Sequence, residues 1–360
     1  MNSLPPGSTI GILGGGQLGR MLSVAASRLG LRTHIFDPTS NPPAADVAHG
    51  VTTAAYDDAT ALAAFAASVD VITFEFENIP TAALDLLEKL KPIRPNRAAL
   101  ATSQDRLAEK AFLRGLGLQT APFAAVTTAA DLDEALDAIG TPSILKTTRL
   151  GYDGKGQVRL TSPADTATAL AAMKGAACVL EGFIDFTLEV SVIAARALDG
   201  AVAAYDPGEN VHRAGILHTT TVPARMTPAQ RSDAVLIAAR ILTALDYVGV
   251  IGVELFVTPG GLIVNEIAPR VHNSGHWTQN GCAVDQFEQH IRAIAGWPLG
   301  DGGRHADVRM ENLIGSDILR VPDLAKQLDT ALHLYGKPEA RPGRKMGHVN
   351  RILRKPQRPI

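Results

Sequence analysis

Between Thr9 and Leu90 short β-branched runs alternate with stretches of helical apolar spacing, and this pattern limits the fold more than any other feature of the chain. Thr9 to Leu13, Leu31 to Phe36 and Val69 to Phe76 read as buried strands. Leu18, Met21, Leu22, Ala25 and Leu29 follow helical spacing, with Gly30 placed as a C-cap, and Asp58 to Ala67 and Thr81 to Leu90 read as further helices. Strands joined by helical crossovers run parallel, with right-handed connections. Residues 1–105 are therefore expected to form a doubly wound parallel-sheet domain, in a chain of mixed α/β and α+β class.

The pattern then changes. One helix is expected from Arg97 to Leu113. Thr141 to Thr148 and Gln157 to Leu160 read as strands joined by a glycine-rich loop, followed by strands at Cys178 to Ile184 and Leu188 to Ala195. A long helix, Pro228 to Leu245, precedes a hairpin: Val250 to Val257, the turn Pro259-Gly260-Gly261, and Leu262 to Ile267. Short mixed strands follow from Asp307.

Composition excludes several classes of function. The 360 residues carry a net charge of −2, which argues against a nucleic-acid partner. No apolar run is long enough to span a bilayer, so no membrane partner is expected. The first eight residues have neither a basic nor an apolar signal region and read as a short lead-in. Cys178 and Cys282 form no zinc or redox spacing, and a reducing cytoplasm is the expected location.

Three segments carry chemistry. Gly14-Gly15-Gly16-Gln17-Leu18-Gly19 fits the glycine fingerprint of a dinucleotide fold, and Asp37 stands where such a fold places its ribose-binding acid. Nothing else in the chain forms a hydride-transfer site. Lys146 ends a strand shortly before Gly151-Tyr152-Asp153-Gly154-Lys155-Gly156-Gln157. Glycines leave backbone N–H groups free to wrap polyphosphate oxygens, and Lys146 and Lys155 add cations. A solvated hairpin turn is the plain alternative. Glu254 and Glu266 face each other across the Val250–Ile267 hairpin, where like charges in apolar strands are unfavourable. A divalent cation relieves both problems; oxygen ligands beside phosphate suit Mg²⁺, with Mn²⁺ as a substitute and Asn265 as a further oxygen. Two solvated carboxylates are the alternative here.

These segments occur in order with Phe74-Glu75-Phe76-Glu77-Asn78, Arg270-Val271-His272-Asn273-Ser274-Gly275-His276-Trp277-Thr278 and Gly343-Arg344-Lys345-Met346-Gly347-His348. Together they resemble the N5-carboxyaminoimidazole ribonucleotide synthetase family of ATP-grasp carboxylases, over essentially everything after the first eight residues. The resemblance implies an ATP-grasp domain over residues 106–300 with a small lid at about 120–190, a C-terminal domain over 301–360, and a homodimer. It implies ATP contacts at Arg106, Lys146, Gly151, Tyr152, Asp153, Gly154, Lys155, Gly156, Gln157, Glu181, Gly182, Phe183, Ile184, Glu189, His212, Asn265 and Glu266. On the residues alone, Glu181, Glu189 and His212 could equally be solvated.

The same resemblance places 5-aminoimidazole ribonucleotide against Gly16, Gln17, Leu18, Glu75, Asn78, Tyr152, Arg270, His272, Asn273, Ser274, Lys345 and Arg351. Asp153, Arg270 and His272 are its expected catalytic groups, and Glu254 and Glu266 its metal ligands. The expected reaction consumes ATP and bicarbonate in purine biosynthesis. A formate-dependent formylation of glycinamide ribonucleotide on the same fold, and a non-catalytic nucleotide-sensing module, are the competing readings. Residues 341–360 hold seven Lys or Arg and no acid. Lys345 and Arg351, six apart, are expected on one face of a strand, where both meet the substrate phosphate.

Overall fold

The structure, a computed structural model, describes residues 3–151 and 154–354. The N-terminal unit contains β1 (Thr9–Leu13), α1 (Gln17–Arg28), β2 (Arg32–Asp37), β3 (Gly50–Thr53), α2 (Ala59–Ala67), β4 (Val71–Phe74) and α3 (Thr81–Leu87). Its four strands are parallel in the order β3-β2-β1-β4, as the alternation requires. Ile10, Ile12, Ile35 and Val71 bury the sheet against Leu22 and Ala26 of α1.

The helix expected from Arg97 to Leu113 is two helices, α4 (Arg97–Ser103) and α5 (Arg106–Gly115). Asp105 breaks the run because its carboxylate accepts from the N–H groups of Leu107 and Ala108, capping a new helix. A small antiparallel sheet follows: β5 (Phe123–Val126), β6 (Ser143–Thr147), β7 (Gln157–Leu160) and β8 (Cys178–Gly182), in the order β5-β8-β6-β7. Between its strands lie α6 (Ala129–Ile139), started by a Thr128–Asp131 capping box, and α7 (Thr166–Met173).

A nine-stranded sheet forms the largest layer. It contains β9 (Leu188–Arg196), β10 (Val202–Ala204), β11 (Gly208–Arg213), β12 (Ile216–Val222), β13 (Gly249–Thr258) and β14 (Gly261–Ala268), with α8 (Pro228–Ala244) between β12 and β13. After β14 come α9 (Thr278–Gly281) and α10 (Gln286–Ala295), the latter capped by Asp285. β15 (Asp307–Ile314), α11 (Val321–Leu324), β16 (Thr330–Leu334) and β17 (Lys345–Arg354) complete the described chain. The last three strands form no separate sheet. β15 pairs with β12 and carries β17 and β16, so the large sheet reads β14-β13-β9-β11-β12-β15-β17-β16.

Candidate functional site

A cleft of about 600 Å³ opens where the N-terminal unit, the small sheet and the large sheet meet. Its floor is the β13–β14 hairpin. Glu254 pairs directly with Glu266, and the ladder slips there because Asn265 is an extra residue on β14. Such a bulge re-aims side chains, and Asn265 and Glu266 both line the cleft. Burial, then the neighbouring Glu266 and Glu189 charges, push the Glu254 carboxyl well above the usual carboxylate range. Burial opposes ionisation of Glu266 too, yet Arg106, Lys146 and His272 hold it below that range. The facing pair thus lacks positive charge on the Glu254 side, which a divalent cation would supply. Among the described residues no group of three or more His, Cys, Asp or Glu could hold a metal unaided. Two carboxylates completed by nucleotide phosphates are what Mg²⁺ needs, so the donor set fits.

Helix α5 supplies the cations above this floor. Arg106, Glu109 and Lys110 share one face at helical spacing. Arg106 Nη1 lies 3.2 Å from Glu266 Oε2. Lys110, fully buried, lies 3.2 Å from Glu181 Oε1 and donates to the Asn265 carbonyl at 3.4 Å. Lys146 Nζ meets the other Glu181 oxygen at 2.9 Å. Burial alone would raise the Glu181 carboxyl, but Lys146 and Lys110 together keep it below its ordinary value. Glu109 accepts from the Ile267 N–H at 2.7 Å and so pins β14 from behind.

The glycine loop at the start of α1 is occupied by the chain's own carboxylates. Gly16 and Gly19 N–H donate to Glu75 at 2.9 and 3.2 Å, and Gly15 N–H donates to Asp37 at 2.7 Å. A Cβ at Gly14 or Gly16 would sit 2.7 Å from Glu75 atoms, so glycine is needed there to admit Glu75. The donors that a dinucleotide fold offers to pyrophosphate are already engaged. Burial raises the Glu75 carboxyl, against the pull of the Gly16 and Gly19 N–H groups.

On the opposite wall, Glu189 Oε2 lies 2.8 Å from His212 Nδ1. Phe186 and Phe256 stack with ring centroids 4.6 Å apart, and both line the cleft. Arg270 Nη2 meets Glu77 Oε1 at 2.8 Å. His272 Nδ1 is 2.8 Å from Ser274 Oγ, and its Nε2 is 3.5 Å from Glu254 Oε1. Burial, then Arg270, lower the His272 imidazole to about 3.

Three family models match the chain in succession: the ribonucleotide synthetase preATP-grasp domain over residues 8–104, the ATP-grasp domain over 111–287, and the phosphoribosylaminoimidazole carboxylase C-terminal domain over 309–358. The N5-carboxyaminoimidazole ribonucleotide synthase of Brucella melitensis is 56% identical over 353 residues, covering 97% of this chain and 98% of its own. The chain belongs to the N5-carboxyaminoimidazole ribonucleotide synthase family. A crystal structure of an ADP complex of such a synthetase superposes with a TM-score of 0.95 at 42% identity, covering 98% of this chain and 94% of that one. The Aspergillus clavatus synthase, solved with ADP and 5-aminoimidazole ribonucleotide, gives 0.91 at 32% identity, covering 97% and 94%.

Against the family-based expectations, the cleft gathers Gly16, Gln17, Leu18, Glu75, Asn78, Arg106, Lys146, Gly151, Gly154, Lys155, Gln157, Glu189, His212, Glu254, Asn265, Glu266, Arg270, His272, Asn273 and Lys345. Tyr152 and Asp153 lie outside the described residues. Gly156, Glu181, Gly182, Phe183, Ile184, Ser274 and Arg351 are not in its lining. Glu181 lies beneath it between two lysines, and Ser274 lies behind His272, fully buried. Gly156 has φ +70°, and a Cβ there would meet Thr147 Oγ1 at 2.7 Å, so it shapes the loop. β8 stops at Gly182, short of Ile184, and Phe183 turns out under the Arg159 guanidinium.

Arg351 departs most clearly from expectation. Lys345 pairs with Ile314 and Gly347 with Leu313, so Met346 is an extra residue that reverses the alternation. Lys345 faces the cleft, whereas Arg351 donates to Gln327 Oε1 at 2.6 Å on the exterior. Four contributors went unread in the sequence: Glu77, Glu109, Lys110 and the Phe186–Phe256 pair. The spacing of Arg106, Glu109 and Lys110 was a signal for two of them, but a charged helical stripe ordinarily marks a solvated face.

Proposed function

We infer that this chain carboxylates 5-aminoimidazole ribonucleotide with bicarbonate and ATP, giving N5-carboxyaminoimidazole ribonucleotide, ADP and phosphate. One observation carries the reading. Gln17 of α1, Lys146 of the small sheet, Glu266 of the large sheet and Lys345 of β17 line a single cleft, so a nucleotide site and a second anion site adjoin.

Bicarbonate attacks the γ-phosphorus of ATP to form carboxyphosphate. Lys146, Lys155 and Arg106 place fixed positive charge along the phosphates, and preorganised charge of this kind is usually the largest catalytic contribution. Glu254 and Glu266, with Asn265 beside them, would hold Mg²⁺, which offsets negative charge on the phosphates when bound. Phe186 and Phe256 supply an apolar wall for a base, and Glu189 with His212 supplies acceptors for ribose hydroxyls. Arg270, aimed by Glu77, and Lys345 hold the ribonucleotide. Asp153 orients or deprotonates its exocyclic amine, which attacks the carboxyl carbon. The small sheet and its Gly151–Gln157 loop act as a lid that excludes water from the hydrolysable intermediate. The reading includes a cytoplasmic homodimer with no nucleic-acid or membrane partner; no helix among the described residues is long and apolar enough to cross a membrane.

The test supplies aminoimidazole ribonucleotide with bicarbonate, and separately glycinamide ribonucleotide with formate, and follows ADP and carboxylated product. Product is expected only in the first mixture. Product in the second alone assigns the formyl-transfer reading, and none in either assigns a nucleotide-sensing role.

A further inference from the structure

Behind the cleft a line of buried polar side chains crosses the large sheet. Thr220 Oγ1 donates to Asn210 Oδ1 at 2.8 Å, and Asn210 Nδ2 donates to Ser191 Oγ at 3.1 Å. Ser191 Oγ donates to Ser274 Oγ at 2.6 Å, and Ser274 Oγ lies 2.8 Å from His272 Nδ1. Thr220 and Asn210 face each other in register on β12 and β11, and Ser191 pairs with Glu254 across β9 and β13. All four residues are at least 95% buried, and none is among the residues that line the cleft. Buried polar groups of this kind are retained in a satisfied network, where each proton has a defined place.

The direction of the chain is legible. A backbone N–H can only donate, and the Ser274 N–H is directed at His272 Nδ1 at 3.4 Å. Nδ1 is therefore an acceptor. The Ser191 proton lies toward Ser274, which leaves the Ser274 proton for the same nitrogen. With Nδ1 accepting, the ring proton resides on Nε2, the nitrogen facing Glu254 and the cleft. A flipped Asn210 amide would run every bond the other way and place the proton on Nδ1, where it would oppose the Ser274 N–H.

We propose that the Thr220–Asn210–Ser191–Ser274 chain fixes His272 as the Nε2–H tautomer, so that His272 meets an oxygen of bicarbonate or carboxyphosphate as a hydrogen-bond donor and does not accept the proton of the amine. Ser274 and Ser191 are then positioning residues, acting through His272. Both ring nitrogens are committed, so the proton acceptor of the reaction lies on another residue. The inference rests on the carboxylation reading for the identity of the oxygen, while the tautomer stands independently of it.

The test uses the full-length protein labelled with ¹⁵N-histidine, with His272 assigned by the signals lost in His272→Gln. Long-range ¹H–¹⁵N correlation is expected to show a protonated Nε2 and an unprotonated Nδ1. Ser274→Ala removes the 2.8 Å hydroxyl contact and leaves only the long 3.4 Å backbone N–H on Nδ1, so the ring is expected to populate both tautomers, with KM for bicarbonate rising about 3- to 10-fold and KM for ATP nearly unchanged. A protonated Nδ1 in the wild-type protein overturns the proposal, and so does a Ser274→Ala variant that keeps both the single tautomer and the bicarbonate KM. The wild-type spectrum needs no variant to fold and no turnover. Failure of the activity and failure of the tautomer are therefore told apart.

Discussion

Arg270 Nη2 lies 2.8 Å from Glu77 Oε1, so the guanidinium that follows β14 is aimed by a carboxylate that follows β4. Burial raises the Glu77 carboxyl, and Arg270 is the largest influence opposing that rise. Glu77→Ala should release Arg270 into other rotamers while leaving its charge in the cleft. KM for the ribonucleotide is expected to rise about 10- to 100-fold, the range of one charge-assisted hydrogen bond. KM for ATP should change little. Steady-state kinetics check this, and equal rises for both substrates would detach Glu77 from the ribonucleotide side.

Burial and the facing Glu266 charge favour the protonated form of Glu254 when no cation is bound, and glutamine has the shape of that form. Glu254→Gln should therefore unfold at the wild-type temperature or slightly above it when no nucleotide or metal is present. The same variant, and Glu266→Gln, should lose most turnover at limiting Mg²⁺. Thermal unfolding and activity are read on one preparation. Wild-type turnover by both variants would remove the hairpin acids from the metal site.

The Glu109 carboxyl is pushed up to about 8, first by burial and then by Glu266. The folded protein thus holds a proton that the unfolded chain releases near the ordinary carboxyl value of about 4.3. Stability from this group is complete below that value and is lost as pH rises through about 8, at up to roughly 1.4 kcal/mol per pH unit. Glu109→Gln keeps an acceptor for the Ile267 N–H and carries no such proton. Denaturant midpoints of the metal-free protein between about pH 5 and 8 should fall more steeply for wild type than for the variant. Parallel curves would mean that Glu109 is ionised throughout.

Lys345 lines the cleft, while Arg351 bonds Gln327 on the exterior. Lys345→Ala should raise the ribonucleotide KM about 10- to 150-fold and spare that of ATP. Arg351→Ala should alter neither. A ribonucleotide effect at Arg351 matching that at Lys345 would contradict the reversed alternation at Met346.

What the sequence revealed and withheld follows from the range over which each signal acts. β1, α1 and the β13–β14 hairpin were readable because apolar period and turn residues operate over a few neighbours. The break at Asp105 escaped because a capping acid inside a helical apolar pattern looks like any surface acid. α6 and α10 were missed although Thr128–Asp131 and Asp285 announce their starts. Glu75 was recognised as a site residue, but its acceptance of two glycine N–H groups joins positions far apart in the chain. Arg351 was misplaced by one inserted residue, since an even separation means a shared face only on an unbulged strand. Lys110 went unread because nothing local announces its counter-ion on β8.

The carboxylate of Glu75 at the start of α1 bears on how this edge of the molecule discriminates among ligands. In a dinucleotide fold the visiting pyrophosphate brings the anion that the helix end attracts. Here a carboxyl group of the chain already takes those N–H donors, so the helix end is occupied before any molecule arrives and exerts little pull on a phosphate. Selection along Gln17 and Leu18 must then work by outline and neutral hydrogen bonds, with the long-range attraction for phosphate coming from Lys345 and Arg270 across the cleft. A ribonucleotide would be drawn in phosphate-first from that side and turned sugar-inward toward the glycines.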